Sequence, residues 1–454
     1  MMLVKNTKPS NIWIKFWLTL AISINLVACS GGSSAPTAAP QENASAVNNA
    51  AAVNCGDQLG HWVSAWADAP SDASVPLDGA LHALFAGANQ SFRLLLAPLG
   101  SGNVMRLHFS NRFGTAPITL NDIRVAASVA PGSPDIVAAT SAQVTFSCAS
   151  QVTIPAGADV VSDPVSFNLN ALQTLAVSVS VANTPLVPTR HFIGRQVSFA
   201  TYPGAGDHTA DAVGSAFTQS FIQRPLVDGI DVRTNGASAV VALGDSITDG
   251  YQGTPLGVVE DTTTINLNQR YPDFLKRRID AAKLPFFVAN VGIAGNRVLQ
   301  DGAIPQYGPS ALHRLNADVL AQAGVGTVIF LEGINDIGLT PGLTATALEQ
   351  GYTAVIGQLH AADIKVLQGT LTPCGSNLLY GTAANNALRD QVNAWIRTQS
   401  PADGVVDFDL AVRDPNNPDD IAPQYDGGDG LHFTAAGYQR MADAVDLSQL
   451  TGTH

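Results

Sequence analysis

Hydrophobic patterning divides the chain into two parts. From Cys55 to about Thr234, apolar and polar residues alternate over short runs, as at 103–111 and 175–182. Gly, Pro, Asn and Asp interrupt these runs at short intervals, as turns do between strands. The pattern predicts an antiparallel β-sandwich, jelly-roll-like, over residues 55–234.

The periodicity changes from Ala237 onward, where apolar runs of strand length alternate with longer amphipathic segments typical of helices. The predicted strands are 239–243, 286–291, 326–332, 364–371 and 404–410, and the predicted helices are 271–283, 311–323, 345–362, 384–399 and 435–445. Each predicted strand is too apolar to have a solvent-exposed face. Residues 235–454 are therefore predicted to form an α/β domain, with a parallel sheet between two layers of helices.

Length and composition agree with two globular domains. The chain has 454 residues, of which 46% are hydrophobic and 13% charged. The net charge is -13 and the body of the chain has no basic cluster, so we expect no nucleic-acid partner. His-Glu-x-x-His and Cys-x-x-Cys are both missing from the sequence, so we predict neither a metal nor another cofactor.

The N-terminus has the pattern of a targeting segment. Three lysines precede an apolar stretch, 16–28, which leads into Leu-Val-Ala-Cys at 26–29. This tetrapeptide resembles a bacterial lipobox, which implies a signal peptide over 1–28 and lipid on Cys29. Residues 29–54 are predicted to be a flexible tether. We expect a lipid-anchored protein of the bacterial cell envelope, at the outer membrane, with a plain signal peptide and a secreted product as the alternative.

Three further cysteines follow the tether. Export permits disulfides, and Cys55 and Cys148 fall in the same half of the chain and could pair. The sequence leaves that pairing open, since the separation of two cysteines in space cannot be read from it. Cys374 has no histidine nearby and is predicted to be structural.

Polar residues that could take part in catalysis follow four of the five predicted strands. They are Ser246 within Gly-Asp-Ser, a Gly-rich turn at 290–297, Asn335 within 332–338, and Asp429-x-x-His432. Because parallel strands end at one edge of a sheet, these residues are expected to converge there. A nucleophile, a base, a group to orient the base and oxyanion donors together favour acyl transfer. Taken alone, Ser246 could equally be a helix N-cap.

These four motifs, in this order across 243–438, resemble those of the SGNH hydrolases, also called GDSL esterases. The longer segments 238–250, 292–299 and 330–338, together with 61–70 upstream, look like a two-domain bacterial branch related to carbohydrate esterases. The resemblance implies a flavodoxin-like, three-layer fold for residues 235–454.

The resemblance also implies a role for each site residue. Ser246 would be the nucleophile, His432 the general base and Asp429 the carboxylate that orients it. The backbone N–H groups of Ser246 and Gly295 and the side-chain amide of Asn335 would form the oxyanion hole.

The residues themselves leave rivals open for these roles. Asp336 competes with Asn335, and Gly292 competes with Gly295. The rival carboxylates for Asp429 are Asp245, Asp249 and Asp426. Glu332 has no role that the sequence supports, and nothing requires His208 to approach the site.

The predicted activity is that of a serine carboxylic ester hydrolase acting through an acyl-enzyme on short-chain acyl esters. The branch implies acetylated carbohydrate, so the substrate would be a small-molecule or polysaccharide ester. Alternatives are a broad-specificity esterase for short-chain lipid or aryl esters, a thioesterase, or a glycan-binding surface protein without catalysis. The residues around Ser246 do not match Gly-x-Ser-x-Gly, which argues against an α/β-hydrolase lipase.

Overall fold

The computed structural model describes residues 60–73, 89–182, 187–254 and 262–452, which belong to one compact unit. The predicted signal peptide, the tether, Cys29 and Cys55 lie outside the described residues, and the predictions made for them stay predictions. No helix in the described ranges is long and apolar enough to cross a membrane.

The N-terminal half consists of antiparallel strands. They are β1 (Trp62–Ala67), β2 (Asp72–Ala73), β3 (Gln90–Leu96), β4 (Gly102–Ser110), β5 (Ile118–Ala127), β6 (Ala142–Gln143), β7 (Val152–Ile154), β8 (Asp159–Val161), β9 (Val165–Leu169), β10 (Leu175–Val181), β11 (Thr189–His191), β12 (Ser198–Ala200), β13 (Gln219–Phe221), β14 (Arg224–Pro225) and β15 (Val227–Arg233).

These strands form two large sheets and one small sheet. One large sheet has the order β1-β15-β4-β8, with β9 also paired to β4, and the other has the order β13-β12-β3-β10-β5-β6, with β7 on β5. The small sheet has the order β14-β11-β2. The inward side chains of the two large sheets share one hydrophobic core, so the predicted β-sandwich is confirmed.

The alternation along β4 matches the observed burial. Met105, Leu107 and Phe109 are fully buried, whereas the residues between them are partly exposed. Strand β10 also alternates in sequence but is buried on both faces. Its polar face is covered because the buried Arg93 lies there and donates a hydrogen bond from Nε to Ser178 Oγ at 2.9 Å.

The C-terminal half contains a five-stranded parallel sheet. Its strands are β16 (Ser238–Gly244), β17 (Phe286–Gly292), β18 (Val325–Leu331), β19 (Lys365–Gly369) and β20 (Gly404–Val406), in the spatial order β17-β16-β18-β19-β20. The second strand of this half therefore lies outside the first, which is the flavodoxin-like order. The α/β prediction is confirmed.

Two groups of helices accompany this sheet. The helices are α1 (Ser246–Asp249), α2 (Tyr271–Ala281), α3 (Ala311–Leu315), α4 (Ile334–Leu339), α5 (Ala345–His360), α6 (Ala383–Thr398), α7 (Phe408–Val412) and α8 (Ala435–Ala444). Helices α2, α7 and α8 pack together, and α3 to α6 pack together. Because β16 to β18 are buried along their whole lengths, the sheet lies between helical layers.

Two predicted elements differ from the structure. The predicted strand 404–410 ends at Val406, because the Asp407 side chain accepts the N–H of Leu410 at 3.1 Å and starts α7 there. The predicted helix 311–323 is α-helical only to Leu315 and continues as a π-helical turn over Asn316–Leu320.

The two halves pack closely against each other. The Ser64 N–H donates to the Ala323 carbonyl at 2.8 Å, and Arg112 of the sandwich pairs with Asp318 of the α/β half at 2.8 Å. One hydrophobic core continues from the sandwich into the parallel sheet. Cys148 is disulfide-bonded. The sequence left its pairing with Cys55 open, and Cys55 lies outside the described residues. Cys374 is free and buried.

Candidate active site

Three strand ends lie side by side at the edge of the parallel sheet. In the register, Gly244 at the end of β16 pairs with Gly292 of β17 on one side and with Leu331 of β18 on the other. The loops that carry Ser246, Gly295 and Asn335 therefore start next to one another. The sheet brings together three segments that are far apart in the sequence.

Ser246 is the first residue of α1, and its hydroxyl is not used to cap that helix. Asp245 is the N-cap residue, since its Oδ1 accepts the N–H of Ile247 at 3.0 Å. The Ser246 Oγ instead lies 2.9 Å from Nε2 of His432. The N-cap interpretation of Ser246 is therefore wrong, because Asp245 already fills that position.

His432 connects Ser246 to Asp429. The His432 Nδ1 lies 2.7 Å from Oδ2 of Asp429, and the other oxygen of Asp429 accepts the backbone N–H groups of Leu431 and His432 at 3.0 and 2.8 Å. Burial opposes the charge of Asp429, but the hydrogen bonds from His432 and Leu431 outweigh it and lower the pKa of this carboxyl. Asp429 thus stays ionised and fixes the orientation of the imidazole.

The rival carboxylates make hydrogen bonds and ion pairs with groups other than His432. Asp426 accepts the backbone N–H groups of Gly428 and Gly430 at 2.7 and 3.1 Å, and so shapes the loop before His432. Asp245 caps α1, and Asp249 pairs with His191 of the sandwich at 3.2 Å. Of these carboxylates, the structure places only Asp429 against the His432 ring.

Gly295 lies in the loop after β17 with φ +79, a conformation that favours glycine. A Cβ at this position would lie 2.2 Å from the Tyr307 ring. Within the described residues, no acceptor takes the N–H of Gly295 or that of Ser246. The rival Gly292 already donates its N–H to Asn290 Oδ1 at 2.9 Å, so Gly295 has the available donor.

The Asn335 side chain is held from both ends. Its Nδ2 donates to the Asn296 carbonyl at 2.9 Å, and its Oδ1 accepts the Tyr380 hydroxyl at 2.8 Å. These two contacts determine which end of the amide carries the donors, and Nδ2 keeps a second N–H. The rival Asp336 accepts the N–H groups of Val298 and Leu299 at 2.8 and 3.1 Å, so it supports the loop after β17 instead.

Residues 242–440 match the model of the GDSL-like lipase/acylhydrolase family. This part of the chain is a GDSL-like hydrolase domain. No curated protein matched the chain in a parallel search.

Several solved structures resemble slightly less than half of the chain. An aryl esterase of M. smegmatis is 18% identical with a TM-score of 0.38, and the match covers 46% of this chain and 96% of that one. Est24, a carbohydrate acetylesterase from Sinorhizobium meliloti, is 17% identical with a TM-score of 0.37, covering 46% and 95%. The acetyl xylan esterase AlAXEase is 20% identical with a TM-score of 0.32, covering 45% and 96%.

A buried cluster of charges lies at the ends of β16 and β18 in the GDSL-like domain. Arg314 donates to the Gly244 carbonyl and to Asn296 Oδ1, both at 2.9 Å, and its Nη2 lies 3.6 Å from Oε2 of Glu332. Burial raises the pKa of Glu332 to about 8 and that of Asp245 to about 7. The cluster therefore carries less negative charge at neutral pH than free carboxylates would.

Three residues of the GDSL-like domain that the motifs did not indicate also border the site. The ring centroid of Tyr251 lies 4.5 Å from that of His432. A Cβ on Gly253 would lie 2.4 Å from the Asp429 carboxylate, so only glycine permits this approach. Asn377 donates from Nδ2 to the Asp429 carbonyl at 2.8 Å. A short segment close after Ser246 and the loop before α6 thus help to place the Asp429–His432 pair.

Tyr380→Phe tests whether the Tyr380 hydroxyl holds the Asn335 amide. Losing one hydrogen bond of about 1 kcal/mol should lower kcat roughly fivefold to tenfold, because Asn335 would orient its donor less well. The KM should change little. Tyr202→Phe, at an exposed tyrosine, is the matched control and should leave both constants unchanged. Steady-state ester hydrolysis measures the effect, and an unchanged kcat in Tyr380→Phe would contradict this role.

Proposed function

We propose that the chain is a serine carboxylic ester hydrolase that works through an acyl-enzyme. The observation that carries this proposal is the pair of contacts from Ser246 Oγ to His432 Nε2 at 2.9 Å and from His432 Nδ1 to Asp429 at 2.7 Å. A glycan-binding protein would have no need for this alignment. The available N–H donors beside Ser246 point the same way.

In the acylation step, Ser246 Oγ bonds to the ester carbonyl carbon as its proton moves to His432 Nε2. The carbonyl π electrons move to the carbonyl oxygen, which becomes an oxyanion. Asp429 accepts the Nδ1–H of His432 and stabilises the imidazolium. When the oxyanion collapses, the bond to the alkoxy oxygen breaks, and His432 gives its proton to the leaving alcohol.

Deacylation repeats these steps with water. His432 Nε2 takes a proton from a water molecule as the water oxygen bonds to the acyl carbon. The second tetrahedral oxyanion collapses, the bond to Ser246 Oγ breaks, and His432 returns the proton to the serine. The products are a carboxylic acid and free enzyme.

Three donors would stabilise the oxyanion in both steps: the second N–H of Asn335 Nδ2 and the backbone N–H groups of Gly295 and Ser246. The loop conformation at Gly295 and the two contacts of Asn335 orient their donors before the substrate binds. Donors arranged in this way can each contribute roughly 2.7–4 kcal/mol to the transition state.

Ser246→Ala and Asn335→Ala separate the nucleophile from a donor. Ser246→Ala removes the group that forms the acyl-enzyme, so activity should fall to a residual level and a serine-directed organophosphonate should no longer add mass. Asn335→Ala keeps the Ser246–His432–Asp429 chain, so kcat should fall by roughly 10²–10³-fold with little change in KM. This variant should still be labelled, but more slowly.

Intact mass spectrometry with the organophosphonate, alongside steady-state kinetics, measures both effects. An adduct on Ser246→Ala would show that the nucleophile lies elsewhere. Full kcat in Asn335→Ala would show that Asn335 only forms the turn after β18.

We further propose short-chain acyl esters as substrates, with acetylated carbohydrate as the class. Three tyrosines surround the reacting groups: Tyr307 against Gly295, Tyr380 on Asn335, and Tyr251 against His432. Rings beside these residues would crowd a long acyl chain, which supports a short one. Their faces and hydroxyl groups suit a sugar, which has both apolar and polar surface.

A hydrolysis panel tests this substrate class. With p-nitrophenyl esters of increasing chain length, kcat/KM should be highest for acetate and should fall as the chain lengthens. Acetylated xylan should release acetate, and the Ser246→Ala variant gives the background rate without the nucleophile. Rising kcat/KM with chain length would instead favour a lipid esterase, and preference for a thioester would favour a thioesterase.

The proposed location is the bacterial cell envelope, with a lipid anchor on Cys29. Support comes from the lipobox-like Leu-Val-Ala-Cys at 26–29 and from the tether-like composition of 29–54. The anchor would hold the enzyme at the membrane surface, where its substrate would be an external ester.

Cys29→Ala should abolish incorporation of a labelled fatty acid, because the thiol that carries the lipid is gone. Cys374→Ala changes a buried free cysteine and should keep full labelling, which makes it the matched control. Metabolic labelling followed by purification gives the measurement. Equal label in wild type and Cys29→Ala would contradict the anchor.

A further inference from the structure

A histidine of the sandwich contacts the helix that carries Ser246. His191, at the end of β11, is only 2% exposed. Its Nε2 lies 3.2 Å from Oδ1 of Asp249, the last residue of α1. Asp249 thus connects the β-sandwich to the short helix that begins with Ser246.

Geometry requires the His191 ring to carry two protons. Its Nδ1 lies 2.7 Å from the Ala69 carbonyl oxygen, and its Nε2 lies 3.0 Å from that of Ile193. Carbonyl oxygens only accept hydrogen bonds, so both ring nitrogens must donate. Both can donate only when the ring is an imidazolium cation.

The second oxygen of Asp249 supports the loop after β17 (293–297), which carries Gly295 and is called the oxyanion loop below. Its Oδ2 accepts the N–H of Ala294 at 3.2 Å, and the next residue is Gly295. The loop also packs tightly on α1, since a Cβ on Gly292 would lie 2.3 Å from the Asp249 nitrogen. A continuous chain of contacts therefore runs from His191 through Asp249 to the residue beside Gly295.

We propose that His191 is a positioning residue for the oxyanion hole, through which the β-sandwich takes part in catalysis. Its positive charge holds Asp249 in place, and Asp249 in turn holds the loop that presents the Gly295 N–H to the oxyanion. This inference rests on the proposed function of Ser246 and Gly295. The sandwich thus has a role in the reaction that is independent of any glycan it binds.

Other charged groups also face this pair. Asp68 lies 3.4 Å from His191 Nε2 and is itself paired with Arg224 at 2.6 Å. Two further cations interact electrostatically with Asp249: Arg195 of the sandwich, and Arg270, which is also paired with Asp273. Tyr438 lies near Arg195. Burial raises the pKa of Tyr438 well above its usual value, so it stays protonated where His191 titrates.

The direction of the pH effect follows from these charges. Burial alone would lower the pKa of His191, but Asp68 and Asp249 outweigh it and raise the pKa to about 9. A raised histidine pKa means that the cation is present at lower pH and is lost as pH rises through about 9. The oxyanion loop should therefore lose its support, and kcat should fall, on the alkaline side.

The experiment measures kcat from neutral pH to above pH 9 for the wild type and three variants. His191→Gln should lose the alkaline fall and lower kcat at neutral pH roughly 10- to 100-fold, with little change in KM. Asp249→Asn removes the carboxylate through which the His191 charge acts, so this variant should also have a lower kcat at neutral pH and should lose the alkaline fall. His208→Gln, at a sandwich histidine paired only with nearby surface groups, is the control and should match the wild type.

The outcomes separate this inference from the proposed function. An alkaline fall that persists unchanged in His191→Gln, with full kcat, would overturn the role of His191. If His191→Gln does not fold, Asp249→Asn decides, and an alkaline fall at the wild-type pH in that variant overturns it equally. Activity retained in Ser246→Ala would overturn the proposed function instead.

Discussion

The hydrogen bond between Ser246 Oγ and His432 Nε2 joins residues 186 positions apart, and the chemistry of the site depends on it. It forms because the parallel strands end at one edge of the sheet, so the loops that follow them meet. Gly244 pairs with both Gly292 and Leu331, which places the loops of Gly295 and Asn335 beside Ser246. If β16 did not lie between β17 and β18, these loops would be farther apart.

Buried polar contacts keep the loops in place once the strands have brought them together. Asp336 holds the loop after β17 from the side of β18, and Asp249 holds it from α1. Arg314 joins the end of β16 to the Asn296 side chain, while the Asn296 carbonyl binds Asn335. Such buried charges are costly unless they are paired, so this cluster is expected to serve the geometry of the site more than its stability.

Much of the catalytic half could be predicted from the sequence, because the strand and helix periods are local signals and Asp429-x-x-His432 is a short motif. Contacts between residues that are far apart in the sequence could not be predicted. His191 lies in a β-rich segment with no motif, and only the packing of the two halves brings it to Asp249. Tyr380 reaches Asn335 from a loop 45 positions away. The predicted strand 404–410 was too long because the Asp407 cap is a local hydrogen bond that competes with the strand.

The covalent intermediate is the central claim, and trapping it is its most direct test. Wild-type enzyme would be mixed rapidly with p-nitrophenyl acetate, quenched in acid during the first turnover and digested for peptide mapping by mass spectrometry. The account predicts an acetyl group on Ser246, formed together with a burst of p-nitrophenol. An acetyl group on a different residue would contradict it, and so would turnover of the ester by Ser246→Ala at the wild-type rate.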